Sequence, residues 1–145
     1  MVWEPVAAVA AAYMVMVGFV MIAFAIVYRQ VGADGTFRQG SYEVNTTWNV
    51  LSLVFGLLAA VLGGWTCLAI DNSEWSIRSL IIVIVVLGLL DIAATIKKLQ
   101  AGTPPRNDDV DNRTAMRNAR KPTWVAAANL LVGVAGVSIA RQWLG

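Results

Sequence analysis

The amino-acid sequence predicts an all-α fold: an integral membrane bundle of four transmembrane helices, one domain over residues 1–145. Three observations lead there. The chain is 58% hydrophobic and only 14% charged, a balance foreign to water-soluble domains. Its apolar residues fall into four runs, 5–28, 48–70, 76–96 and 123–141, each close to the ~20 residues that cross a ~30 Å hydrocarbon layer as a helix. The charges lie almost entirely between the runs, where they avoid the cost of charge at mid-membrane.

The first run opens with Glu4 and Pro5. Proline suits the first helical position, and an acidic residue suits the positive end of the helix dipole. Trp3 and Tyr28 bracket the run, as interface-preferring aromatics do. The N-terminus has no Lys or Arg before a long apolar stretch, so this segment reads as a retained helix and not as a cleaved signal. Residues 29–47 form a polar connection with an Asp34-Gly35 turn signal. Its Phe37, Tyr42 and Val44 predict a segment lying against lipid headgroups.

The second run, Trp48 to Ile70, contains no charge. Asn49, Ser52, Gly56, Ala60, Gly63 and Cys67 follow one another at spacings of 3, 4, 4, 3 and 4. That periodicity sets them on one helix face, where small residues let a neighbouring backbone approach. Asp71-Asn72-Ser73-Glu74 supplies a tight turn with capping residues, so the second and third runs form an antiparallel hairpin. The third run is the most apolar. It carries Asp91, then Thr95 and Lys98 on the same face, and its branched surface is left for lipid or a partner subunit.

The connection 97–122 is the most charged stretch. Pro104-Pro105 stops helix continuation. Asp108, Asp109 and Asp111 lack the glycine and distal glutamate of a calcium loop and read as a solvated linker. Arg113, Arg117, Arg120 and Lys121 follow at i, i+4, i+7 and i+8. If helical they share a face, predicted to contact anionic lipid headgroups as a short surface helix. No aromatic residues interleave with these charges, so nucleic acid is not a partner on this reading. The fourth run holds Ala126, Asn129, Gly133, Gly136 and Ala140 on one face, with Trp124 and Trp143 near its ends.

With four spans, both termini and the short turn share one side, which carries two basic residues, Arg78 and Arg141. The other side carries nine. The positive-inside rule then puts both long connections in the cytoplasm and both termini outside. The Asn45-Thr46-Thr47 glycosylation pattern is discounted because it falls on the cytoplasmic side.

The absence of histidine excludes imidazole catalysis, ligation and pH switching. The one cysteine, Cys67, excludes an intrachain disulfide and reads as a small packing residue. No sequence motif for a hydrolase, nucleotide site or metal site occurs. No cofactor and no catalytic residue are therefore expected. The strongest polar feature is a level near the cytoplasmic end. Asp91 lies about five residues, roughly 7 Å, inside its helix, and Asn129, Ser52, Asn49 and Thr95 converge near it. Two readings stand: a proton- or cation-responsive site, or interhelical hydrogen bonding with Asp91 bonded to Asn129 and near Lys97 or Lys98. One carboxylate near a helix end is a weak pathway signal, which favours the second. Gly56, Ala60, Gly63, Gly64, Gly133 and Gly136 are the expected helix-packing positions.

Trp48, the Gly63-Gly64-Trp65 triplet, Pro122 with Trp124, and the Gly133/Gly136 pattern resemble a group of bacterial four-helix integral membrane proteins with a Gly-Gly-(Trp/Tyr) motif in the second helix. The resemblance covers about two thirds of the chain. It implies a bacterial inner membrane and four spans, and no activity. Small helix faces without a catalytic set imply a structural or accessory role, self-associating or as a subunit of a larger membrane complex. The alternative is a small oligomeric transporter or channel using the Asp91, Asn129 and Ser52 level.

Overall fold

The computed structural model describes residues 2–102, 104–107 and 110–145. Its described residues form five helices: α1 (Trp3–Thr36), α2 (Thr46–Ile70), α3 (Glu74–Gln100), α4 (Asn112–Asn118) and α5 (Thr123–Leu144). All but α4 are long and apolar enough to cross a membrane. The chain is thus an all-helical, multi-pass membrane type.

Each long helix overruns its apolar run, because helix ends are set by caps and not by hydropathy. In α1 nothing after Tyr28 breaks the helix until Gly32, whose φ of 65° is in the region that favours glycine. A last turn follows, closed by the Thr36 hydroxyl donating to the Gly32 carbonyl at 2.8 Å. At α2 the Trp48 N–H donates to Asn45 Oδ1, while Asn45 Nδ2 donates to the Gly35 carbonyl, both at 2.8 Å. The amide that mimics a glycosylation acceptor is therefore an N-cap. Ser73 caps α3 by accepting from the Ser76 N–H at 3.2 Å.

The helices form a ring in the order α1, α2, α5, α3, with α3 closing weakly on α1. The tight turn 71–73 joins α2 and α3, yet each packs more closely against α5 than against the other. The expected hairpin is a chain connection and not the main packing contact. Small residues decide which helices touch. A Cβ on Gly64 would lie 2.7 Å from Ala140 Cβ, and one on Gly136 would lie 2.5 Å from Ala60 Cβ and 3.0 Å from the Leu57 carbonyl. One on Gly63 would collide with Met16, and one on Gly133 would meet Ile84 at 3.0 Å. Along α3 it is Leu130 of α5 that fills the space at Gly88. Ile82, Val86, Leu89 and Leu90 of α3 remain exposed.

The apolar interior has two parts. One, around Ala12, Ala60, Cys67, Leu80 and Val137, fills the half near the termini. There Glu74 is bonded by Arg78 at 2.8 Å and by Arg141 of α5. The other lies at the opposite end, among Tyr28, Phe37, Tyr42, Val44 and Ala115. Phe37, Tyr42 and Val44 were expected against headgroups; they are buried instead, at 3%, 5% and 5% exposure. The cause is that the two long connections fold onto each other. Phe37 and Val44 pair as an antiparallel bridge around Gly40, and residue 120 adds alongside. The Val44 N–H donates to the Arg120 carbonyl at 3.0 Å, and the Arg120 N–H to the Tyr42 carbonyl at 2.9 Å. Chain polar groups that would otherwise need water are satisfied in this way.

Candidate functional site

At this end, which we call the basic end, the folded connections cover a cavity of about 390 Å³. Its floor comes from α2 and α3. Asn49, Ser52, Asp91 and Thr95 all line it, so four of the five polar groups expected at one level do meet in space. Asn129 of α5 does not line it. Its Nδ2 donates to Ser52 Oγ at 2.9 Å. Its Oδ1 stands 3.0 Å from where a Gly56 Cβ would be, so a side chain at that position would press on the amide.

Asp91 is not bonded to Asn129. Its Oδ2 accepts from Lys121 Nζ at 2.6 Å. Lys121 leads into α5, so the pair ties α5 to α3 across the mouth of the cavity. The two side chains are 31% and 46% exposed, Lys121 and Asp91 respectively.

The basic segment divides. α4 ends at Asn118, before Arg120 and Lys121, so the four cations do not continue on one helical face. Arg113 and Arg117 are exposed. Arg120 is buried, at 9%. Its two terminal nitrogens donate to the carbonyls of Ala101 and Gly102, each at 3.1 Å, just beyond the end of α3. Its Nε has no partner. Arg120, Lys121 and, from α3, Lys98 all line the cavity. No carboxylate lies within ion-pair distance of Lys98 or Arg120 among the described residues. The Oδ1 of Asn49 is likewise buried and unpartnered.

Part of the lining is aromatic. Phe24 and Trp48 stack with centroids 4.9 Å apart, and Tyr28 meets Trp48 edge-on at 6.4 Å. Trp48, expected as a rim anchor, is half-buried here. Trp124, Trp3, Trp75 and Trp143 are exposed.

The cover is held by Arg106, whose side chain is 2% exposed. Its Nε donates to the Ser41 carbonyl at 2.9 Å and its terminal nitrogens to Asp34 Oδ1 at 3.2 Å. The guanidinium also lies 5.8 Å from the Phe37 ring centroid. Tyr28 adds a bond from its hydroxyl to the Val110 carbonyl at 2.5 Å. Sequence reasoning missed Arg106 because its partners are 65 and 72 residues away. Asp108 and Asp109 lie outside the described residues. A second recess, about 400 Å³ between α1 and α3 near Val9, Tyr13 and Trp75, is apolar and lined by no charged side chain. No family model matches the chain, and no curated protein or solved structure matches it either.

Proposed function

We propose that this is a structural or accessory protein of a bacterial inner membrane, self-associating or a subunit of a larger membrane complex. It crosses four times, with both long connections in the cytoplasm and both termini outside. The observation that carries the reading is that Asp91 and Asn129 are each engaged by a side chain from another part of the bundle. Lys121 holds Asp91 and Asn129 holds Ser52, so these groups join α5 to α3 and to α2 as interhelical bonds do. The small-residue faces are used inside the bundle, so contacts to other chains fall to the branched outer faces of α1 and α3. The orientation rests on nine basic residues against two, and the bacterial setting on the Gly63-Gly64-Trp65 and Pro122/Trp124 resemblance.

Native mass spectrometry from mild detergent tests this, with a second copy or another chain expected to co-purify. A bare monomer under every mild extraction would count against the accessory role. Orientation is tested with a cysteine at Asn107 in a Cys67→Ser background: an impermeant thiol reagent applied from outside should fail to label it. A second reading, a small oligomeric transporter or channel, is favoured by one observation, the cavity beside Asp91. Asp91→Asn should abolish flux in reconstituted vesicles on that reading, and absence of flux in the unmodified protein would remove it.

A further inference from the structure

We propose that the cavity at the basic end binds a phosphate monoester with an apolar body, the phosphate against Lys98, Arg120 and Lys121 and the body against the Phe24–Trp48 wall. Charge is the first argument. Among the described residues, the charged side chains lining the cavity are three cations and one carboxylate. Lys121 is matched by Asp91, which leaves a surplus of two positive charges at Lys98 and Arg120. Arg120 is more than nine-tenths buried and meets only main-chain carbonyls. A buried cation needs a counter-charge or a full set of hydrogen bonds, and here one guanidinium donor, Nε, is unused. A phosphate monoester near pH 7 carries a charge of about −1.5 to −2 with three acceptor oxygens. It answers that charge, whereas a carboxylate or a phosphodiester supplies about one charge and leaves a cation unmatched.

Shape is the second argument. The volume, about 390 Å³, is at the low end of ligand pockets, which run roughly 300–1,000 Å³. A free phosphate ion would leave most of it unfilled. Much of the rest is apolar, with the rings of Phe24, Tyr28, Phe37 and Trp48 beside Val44, Leu99, Met116 and Val125, which calls for an apolar or planar body. Asp91 and Lys121 are partly exposed, so the site reaches the surface at their edge. Two sources share this chemistry, an acidic lipid with a terminal phosphate and a soluble organic phosphate.

The test uses the full chain in a non-ionic detergent and reads apparent Kd from ligand-induced shifts in melting. The probes are dihexanoyl phosphatidic acid, dihexanoyl phosphatidylglycerol, dihexanoyl phosphatidylcholine and phenyl phosphate. Phosphatidic acid or phenyl phosphate, the two monoesters, should bind at least about tenfold more tightly than the diester lipids, the worth of one charge-assisted contact. Comparable binding of both monoesters indicates a soluble ligand; binding of phosphatidic acid alone indicates a lipid. Lys98→Gln should weaken the monoester about tenfold, Lys98→Arg should retain binding within about threefold, and Arg113→Gln, outside the cavity, should change nothing. Equal affinity for all four probes, or Lys98→Gln binding as the unmodified chain does, would overturn the proposal. If Lys98→Gln does not fold, the ranking of probes on the unmodified chain decides alone. The proposal deepens the accessory reading by giving its site a ligand class. The two fail separately, since co-purification of a partner is measured without any of these probes.

Discussion

Replacing Gly136 by alanine adds one methyl group where α5 crosses α2. That methyl would sit 2.5 Å from Ala60 Cβ, 3.0 Å from the Leu57 carbonyl oxygen and 3.2 Å from the Val61 nitrogen. Carbon atoms rest about 3.5–4.0 Å apart, so the helices must part by about 1 Å. Neither alanine nor backbone can rotate away. Overpacking of this kind costs about 1–3 kcal/mol, and the better helix propensity of alanine returns somewhat under about 1 kcal/mol. The net expectation for Gly136→Ala is a loss of about 1–2 kcal/mol. Gly18 is the internal control. Nothing lies within 4 Å of a Cβ there, so Gly18→Ala keeps only the propensity gain and should be neutral or stabilising. Adding Ala60→Gly to Gly136→Ala removes the shortest contact and should recover about half the loss. The assay is reversible unfolding in mixed micelles, followed by circular dichroism as the denaturing detergent fraction rises. If Gly136→Ala is as stable as Gly18→Ala, close α2–α5 packing is not what holds the bundle and the reasoning fails.

Three further expectations follow from the basic end and the opposite turn. Arg106→Ala removes a buried side chain bonded to the Ser41 carbonyl and should cost about 2 kcal/mol; hydrogen exchange should quicken at residues 41–44 while the mid-helix amides of α2 and α5 stay protected. Asp91→Asn and Lys121→Gln break the same pair, so in the micelle assay the double variant should cost no more than the larger single change, and fully additive costs would show that the two side chains act independently. At the opposite end the Ser76 and Ser73 hydroxyls donate to Asp71 and hold its carboxyl below the usual carboxylate range. The folded state therefore binds this proton less readily than the unfolded state, so its stabilisation is complete above the ordinary carboxylate value of about 4 and is lost as pH falls below it. Asp71→Ala should flatten the acid limb of a melting-temperature profile between pH 2 and 5, and an unchanged limb would assign it elsewhere.

The four long helices were legible in the sequence because their signal is local. Long apolar runs with few charges and a 3-4-4-3-4 spacing of small residues need no knowledge of the partner. The same holds for Asp91, Thr95 and Lys98, which share a face by helical period alone and do come to one cavity, Asn49 and Ser52 joining them from α2. What could not be read was pairing between segments. Asp91 was expected to meet Asn129 at its own depth, but Lys121 reaches it from before the helix, and a side chain with a four-carbon stem spans levels that residue counting keeps apart. Phe37, Tyr42 and Val44 looked like headgroup contacts because composition reveals apolarity and not its target. The folded cover, made by Arg106 and the backbone of Arg120, supplied a nearer one.

The basic residues of the two long connections serve two ends that do not conflict. On the proposed topology all nine, as a count, bias orientation, and that bias acts on short connecting loops as the helices insert, before the connections can fold onto each other. Once folded they are no longer equivalent. Arg113 and Arg117 remain exposed, Arg106 is consumed in holding the cover, and Lys121 in joining α3 to α5. Arg29, Arg38 and Lys97 are exposed as well, which leaves Lys98 and Arg120, positive, lining the cavity, and matched by no carboxylate among the described residues. A lysine placed only for orientation gains by reaching outward, since water and headgroups solvate it at little cost. Arg120 does the opposite: its guanidinium is turned in onto the Ala101 and Gly102 carbonyls, and its backbone is fastened by Tyr42 and Val44. The positive charge is therefore built into the cavity rather than left there, and a site that holds charge against its own solvation is one shaped for a negative ligand.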